Sequence, residues 1–351
     1  MTTTAGPVRA ETAPAPTASR GLVGKVLKAR ELAVAAVLVV MLGATQLANG
    51  EFLSEQGVKD LMLNATILVL VATGQAVVVI TRNVDLSVGS VLGISAFAAG
   101  LYLQDGGDPV VALLLATALG ALFGLLNGAL VSLGKVPALV VTLGTLYIIR
   151  GIDSIWVGSR QITADALPQG FVDFGHDGIG VVPHLALLAG AVLAAVAYYL
   201  RNYHSGRDMY ALGSSPEAAR LAGVPVTKRI TTAYVLCGAL AGLAGALYLA
   251  RFGNVDSATG TGYDLTVVSA VVVGGVAFTG GSGTVYGAAL GALLLTSINS
   301  VLPALGVSSV WVTAINGVLL LLAIAVDRIL ALRVAASLRK KAAQMRSARH
   351  A

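Results

Sequence analysis

Long apolar runs alternate with short polar segments along most of the chain, from residue 31 to residue 328. Each run approaches the roughly 20 residues that a helix needs to cross the hydrocarbon core of a bilayer. The pattern therefore predicts an all-α polytopic membrane protein with about ten transmembrane helices. The predicted spans are residues 31–49, 61–81, 85–104, 110–133, 138–157, 183–201, 230–252, 264–279, 283–302 and 310–328. Glycines between residues 264 and 302 leave the span count there the least defined.

Composition agrees with this pattern, because 56% of the residues are hydrophobic and only 11% are charged. The N-terminal segment 1–30 is rich in Ala, Thr, Pro and basic residues, which predicts a disordered tail. Residues 329–351 form a second basic tail. The net charge of +6 is concentrated in tails and short loops beside apolar runs. This distribution favours contact with a membrane surface and not with nucleic acid.

The positions of Lys and Arg predict the orientation of the spans. Both tails are basic, and so is the segment 202–229 after the sixth predicted span. Arg82 and Lys135 lie in the other two short turns that ten spans would place on the same side. We therefore expect both termini and these three connections to be cytoplasmic.

The segment TRNVDLSVGS (81–90) separates two of the apolar runs. A carboxylate just before a helix accepts hydrogen bonds from the free N–H groups there and suits the positive end of the helix dipole. Asp85 is expected to act in this way. Alternatively, Asp85, Ser87 and Ser90 hold a moving gate or face a transport pathway.

A motif similar to part of this segment recurs in the second half of the chain. The letters D-L-S-V-G-S (85–90) are followed later by D-L-T-V-V-S (264–269). The predicted orientation starts the two helices from opposite faces, as an inverted-topology repeat requires. The repeat halves would be residues 61–157 and 230–328.

The predicted spans hold too few charged residues for a relay of carboxylates. We therefore do not expect an ion gradient acting through this chain to supply the energy for transport.

The segment 202–229 contains the signals of a short cytoplasmic helix. Ser214 or Ser215 can cap it, Pro216 suits its first turn, and Gly223 can end it. Such a helix of about two turns is marginal in isolation. We therefore expect a partner protein to stabilise it.

Several segments together resemble one family. Glu217-Ala218-Ala219 followed by Gly223 resembles the EAA loop of ABC importer permeases. Taken with VDLSVGS (84–90), VPALVVTLGTLYIIRG (136–151) and GGVAFTGGSGTVYGAALGALLL (274–295), the chain is similar to ribose/xylose/rhamnose-type sugar permeases of the branched-chain amino acid permease superfamily. The resemblance covers about residues 55–328.

This resemblance implies a subunit of a bacterial plasma-membrane importer. The permease would pair with a second copy or a homologous permease, and would bind two ATPase domains and a substrate-binding protein. ATP and Mg²⁺ would be held by the ATPase, and this chain would bind no cofactor or metal. The residues implied in coupling to the ATPase are Glu217, Ala218, Ala219, Arg220 and Gly223.

The residues themselves identify no catalytic site. The nearest approach to a phosphate-binding loop, Gly128 to Lys135, has one residue too many and lacks the hydroxyl that follows the lysine. We therefore expect a transport subunit and not an enzyme. The alternatives are a permease for branched-chain amino acids or nucleosides, or an ion-coupled secondary transporter.

Polar residues in or beside the spans are candidates for the gate or pathway, and otherwise join helices. They are Asp85, Ser87, Ser90, Asn127, Thr142, Thr145, Asp264 and Asn299.

Overall fold

The computed structural model describes residues 18–308 and, beyond them, residues 311, 314, 315, 317–319, 321, 322 and 325. Most of the predicted span 310–328, the basic tail 329–351 and residues 1–17 lie outside the described residues. The expectations for those segments remain predictions.

Helices account for most of the described chain, and one short antiparallel hairpin (β1–β2) lies between the sixth and seventh helices. Among the described residues, seven helices are long and apolar enough to cross a membrane: α1 (through Glu31–Ala48), α2, α4, α5, α7, α10 and α12. The elements are α1 (Ala18–Ala48), α2 (Glu55–Ile80), α3 (Val88–Gln104), α4 (Pro109–Ser132), α5 (Ala138–Val157), α6 (Gln169–His176), β1 (Gly178–Ile179), β2 (Val182–Pro183), α7 (His184–Asn202), α8 (His204–Ser214), α9 (Pro216–Leu221), α10 (Val226–Phe252), α11 (Tyr263–Val273) and α12 (Val285–Ala304).

The prediction of a helical, polytopic membrane protein is thus confirmed, with differences in length. Helix α1 begins at Ala18, inside the segment that its composition predicted to be disordered. Two predicted spans are shorter than expected. Residues 85–87 are not helical, so α3 starts only at Val88, and α11 ends at Val273 instead of near residue 279.

The early end of α11 has a local cause. Gly275, Gly280, Gly281 and Gly283 all have positive φ angles, which a right-handed helix cannot accommodate. The non-helical segment 274–284, called here the glycine segment, therefore connects α11 to α12.

Helices α2 and α10 form the centre of the molecule and are its most buried long helices. They pack against each other, and each also contacts two helices from the opposite half of the chain. Helix α2 packs on α11 and α12, whereas α10 packs on α3 and α4. The remaining long helices surround this centre.

The crossing of α4 and α10 depends on small residues. A Cβ atom added at Gly124 would lie 2.2 Å from the carbonyl oxygen of Tyr234, and one added at Gly238 would lie 2.2 Å from that of Gly120. Such close backbone approach is typical of helix packing in bilayers, where association depends on van der Waals contact. The crossing places Asn127 of α4 beside the turn that precedes α3.

Candidate functional site

Two candidate coupling helices, α8 and α9, lie in the predicted cytoplasmic segment. The Ser215 hydroxyl accepts a hydrogen bond from the backbone N–H of Ala218 at 3.4 Å, and Pro216 occupies the first turn of α9. The chain leaves α9 through Gly223, whose φ of +80° favours glycine. The expected cap and terminator are therefore both present, although α9 is only six residues long.

The exposed side chains of α9 form a small candidate docking face. Glu217, Ala218 and Arg220 are exposed, while Ala219 is buried against the protein. Leu221 is 91% exposed and adds an apolar side chain to this face.

Helix α8 fastens this face to the membrane-spanning part. The Tyr210 hydroxyl donates to the carbonyl oxygen of Gly283 at 3.1 Å, and burial raises the pKa of Tyr210 to about 12, so the hydroxyl remains a donor. Gly281 donates its N–H to the carbonyl oxygen of Ile80 at 2.9 Å. Helix α8 thus contacts the glycine segment, which is itself bonded to the end of α2.

An inner polar cluster of Asp85, Ser87 and Asn127 lies where the chain passes from α2 to α3. One carboxylate oxygen of Asp85 accepts hydrogen bonds from the N–H of Ser87 at 2.9 Å and from its hydroxyl at 2.7 Å. The Asn127 side-chain amide donates to the Ser87 hydroxyl oxygen at 2.8 Å and lies 3.5 Å from the Asp85 carboxylate. All three side chains are at most 1% exposed. The cluster therefore joins the turn to α4.

Neighbouring candidates attach the same turn to two more helices. The carbonyl oxygen of Val84 accepts a hydrogen bond from the Tyr234 hydroxyl at 3.1 Å and a longer one from Thr142 at 3.4 Å. Ser90 donates to the carbonyl oxygen of Leu146 at 3.0 Å. Thr145 is also buried and donates to the carbonyl oxygen of Thr142 at 3.2 Å. Six of the eight candidate pathway residues thus lie in or beside one buried region.

The other two candidates lie elsewhere. Asn299 lines a cavity of about 580 Å³, called here the outer cavity, between α2, α11 and α12. Its side-chain oxygen is buried and has no partner among the described residues. Asp264 lies at the start of α11, within electrostatic reach of Arg150 of α5. The described residues around the cavity are Asn64, Leu68, Phe252, Thr261, Gly262, Tyr263, Leu265, Thr266, Ser269, Thr296, Asn299, Ser300 and Gly317.

The polar lining of the outer cavity consists of hydroxyl and amide groups. Thr266 and Ser269 donate their hydroxyl hydrogens to carbonyl oxygens one turn earlier, at 2.9 Å and 2.7 Å. Their oxygens therefore remain available as acceptors, and the amide side chain of Asn299 also lines the cavity. The described residues around the cavity include no charged side chain.

Comparison with known proteins identifies the family. Residues 57–324 match the family described as "Branched-chain amino acid transport system / permease component". The chain belongs to this family. The permease is similar to "Autoinducer 2 import system permease protein LsrC" from Enterobacter sp. (strain 638), with 38% identity covering 86% of this chain and 87% of the relative.

Further relatives carry the same name. The protein from Salmonella typhi is 40% identical over 81% of this chain and 80% of its own. That from Escherichia coli (strain K12 / DH10B) is 35% identical over 85% of this chain and 86% of its own. No solved structure gives a significant match. The relatives support the resemblance to ABC importer permeases of sugar-like substrates.

The permease also has a charged pair that the sequence-based reasoning did not single out. The Arg150 guanidinium donates to the carbonyl oxygen of Thr259 at 2.7 Å and lies 3.9 Å from the carboxylate of Asp153. It thereby holds the loop between α10 and α11, whose residues Thr261 and Gly262 form part of the wall of the outer cavity. The sequence could have indicated this pair, because an arginine and an aspartate within the apolar run 138–157 are conspicuous. Charged residues are rare in membrane spans and are usually functional there.

Proposed function

We propose that this permease imports a small, uncharged, polyhydroxylated molecule, a monosaccharide of the ribose, rhamnose or xylose kind, with ATP hydrolysed by a separate subunit. The outer cavity is the observation that carries this proposal. Its neutral hydroxyl and amide lining can exchange hydrogen bonds with sugar hydroxyls. The names of the relatives, which state import of autoinducer 2, support a substrate of this general class.

A free amino acid fits the outer cavity less well. Its ammonium and carboxylate groups would lose their water on entry, and burying unpaired charges is costly. The lining residues that the structure describes provide no side chain of opposite charge for either group. We therefore favour the sugar over the amino acid that the family description mentions.

Alternating access would use the inverted repeat. We pair α2, α3 and α4 with α10, α11 and α12, because each of α2 and α10 packs on the second and third helices of the other half. The letters A-L-G-A-L recur at 118–122 in α4 and at 289–293 in α12, in agreement with this pairing. The buried inner cluster and the outer cavity then correspond to a closed inner side and an accessible outer side.

The energy would reach the pathway through the cytoplasmic helices. Helix α9 docks on the ATPase subunit, which binds ATP and Mg²⁺, and α8 transmits the movement to the glycine segment and to the end of α2. A substrate-binding protein delivers the sugar to the outer face. A second copy of this chain, or a homologous permease, completes the membrane part in the bacterial plasma membrane, with both termini cytoplasmic.

Reconstitution tests the proposed function. The permease, its ATPase and its binding protein are placed in liposomes, and uptake of radiolabelled ribose, rhamnose, xylose and leucine is measured with and without ATP. We expect ATP-dependent uptake of a sugar and none of leucine. Uptake that follows an imposed ion gradient without ATP would show that the permease is a secondary transporter.

The docking role of α9 is tested by a separate substitution. Leu221→Asp should reduce co-purification of the ATPase about tenfold or more, because a charge replaces an apolar contact at the centre of the docking face. Glu217→Ala and Gly223→Ala should weaken it less. Lys228→Gln, an exposed change on the same predicted face, is the matched control. If the same amount of ATPase co-purifies with Leu221→Asp as with Lys228→Gln, α9 does not dock on the ATPase.

A further inference from the structure

A second cavity lies beside α8, the helix that directly precedes α9. It has a volume of about 630 Å³ and is formed by the end of α7, by α8 and by the start of α12. It contains no candidate pathway residue. The described residues that line it are Ala197, Leu200, Arg201, Arg207, Tyr210, Thr284, Val285 and Tyr286.

The lining of this cavity divides into a cationic edge and an apolar floor. Arg201 and Arg207 supply the charge, and Ala197, Leu200 and Val285 supply the apolar surface. None of the ion pairs between described residues involves either arginine. The cavity therefore offers unneutralised positive charge next to apolar surface.

The nearby polar groups leave this charge available. The Arg207 guanidinium donates to the carbonyl oxygen of Asn202 at 2.9 Å and contacts a ring nitrogen of His204 at 3.1 Å, which uses only part of its five donors. The carboxylate of Glu31 accepts a hydrogen bond from the Thr284 hydroxyl at 2.6 Å. Neither arginine forms an ion pair with a described residue, so both retain donors for an anion.

Exposed tyrosines in and near this cavity favour a position at the surface of the bilayer. Tyr198, Tyr203 and Tyr286 are each more than half exposed. Tyrosine is enriched at membrane–water interfaces, where its ring lies in apolar surroundings and its hydroxyl reaches water. The end of α7 and the start of α12, two helices long enough to span a membrane, border the cavity.

We propose that this cavity binds an anionic phospholipid, with its phosphate on Arg201 and Arg207 and the start of an acyl chain on the apolar floor. Basic pockets between transmembrane helices on the cytoplasmic side suit such headgroups. A free phosphate would leave the apolar floor unused, which is why we assign the site to a lipid. The bound lipid would join α7, α8 and α12 at the point where α8 contacts the glycine segment.

Lipid retention on the purified permease tests the assignment. After extraction into detergent and exchange into phosphatidylglycerol or phosphatidylcholine, the retained lipid is counted by native mass spectrometry. We expect the wild type to retain phosphatidylglycerol, and Arg201→Gln to lower the retained amount about fivefold. Lys228→Gln removes the same charge outside the cavity and should retain as much as the wild type.

Two further measurements keep the result interpretable. Ala197→Phe fills the apolar floor while leaving both arginines, and should also lower phosphatidylglycerol retention. Arg201→Gln should elute from size exclusion as the wild type does, and its loss of lipid then does not reflect unfolding. Equal retention of the two lipids by the wild type, or unchanged retention by Arg201→Gln, would overturn the proposal.

Inorganic phosphate distinguishes a lipid from a free anion. If phosphate raises the melting temperature of the wild type as much as phosphatidylglycerol does, the cavity is an anion site and the lipid assignment is wrong. The inference rests on the proposed transmembrane arrangement but not on the substrate or the ATPase. A failure of sugar uptake would therefore leave the lipid result unaffected.

Discussion

The two D-L-[ST]-V segments of the permease lie in opposite surroundings. In the first, Asp85 and Ser87 are buried and bonded to Asn127 of α4. In the second, Asp264 and Thr266 are partly exposed beside the outer cavity, and Asn299 of α12 has an unpartnered side-chain oxygen. Polar residues thus join helices in the first half, whereas Thr266 and Asn299 line a cavity in the second. Similar letters do not determine function, because the surrounding helices decide whether a polar group meets protein or substrate.

Replacing each of the two aspartates separately should give the largest difference in the free energy of unfolding. Asp85→Ala leaves the Ser87 N–H and hydroxyl without their acceptor inside the protein, so we expect the free energy of unfolding to fall by about 3 kcal/mol. Asp264→Ala should change it by less than about 1 kcal/mol. Denaturant unfolding of the purified variants measures both values. Similar losses for the two variants would show that the two halves do not differ in this way.

The helix crossing that holds Asn127 in place should be the next most sensitive feature. Gly124→Ala would put a methyl group 2.2 Å from the carbonyl oxygen of Tyr234, and such overpacking costs about 1–3 kcal/mol. Gly144→Ala is the matched control, because no atom lies within 4 Å of its added Cβ. The same unfolding measurement compares the two. A Gly144→Ala variant as unstable as Gly124→Ala would contradict the proposed role of the crossing.

A substitution in the lining of the outer cavity should change KM for transport and leave the free energy of unfolding nearly unchanged. Asn299→Ala removes a hydrogen-bonding group from the lining, and we expect KM for uptake to rise about tenfold, equivalent to about 1.4 kcal/mol. Its free energy of unfolding should stay within about 1 kcal/mol of the wild type. Asn202→Ala, outside the cavity, is the control in the same liposome assay. A large loss of stability with unchanged KM would make Asn299 a residue that joins helices.

Much of the fold could be predicted from local patterns. Apolar runs long enough to cross a bilayer have few alternatives to helix, since every backbone group must be bonded internally. Nine of the ten predicted spans contain a helix in the described chain. The cap at Ser215 and the terminator at Gly223 are also local features, and both are present. The shortening of α3 and α11 was missed because apolar letters continue beyond the helix ends.

The candidate site was predictable only in part. Polar residues in apolar runs must find partners, which identified Asp85, Asn127 and Asn299 as notable. Their actual partners come from segments far apart in the sequence, such as the 42 residues between Asp85 and Asn127. The exposure of Leu221 and the bond from Arg150 to Thr259 were missed because both depend on the tertiary structure and not on neighbouring residues.

By itself, the sequence determined that this protein is a helical membrane protein, with a capped short helix after the sixth predicted span and polar residues at fixed places in its spans. These properties follow from hydropathy and from interactions a few residues apart. Only the tertiary structure decided which polar residues are buried together and which line the outer cavity. The physical reason is that a polar side chain in a bilayer protein is satisfied by whichever helix packs beside it, and that neighbour is set by the fold.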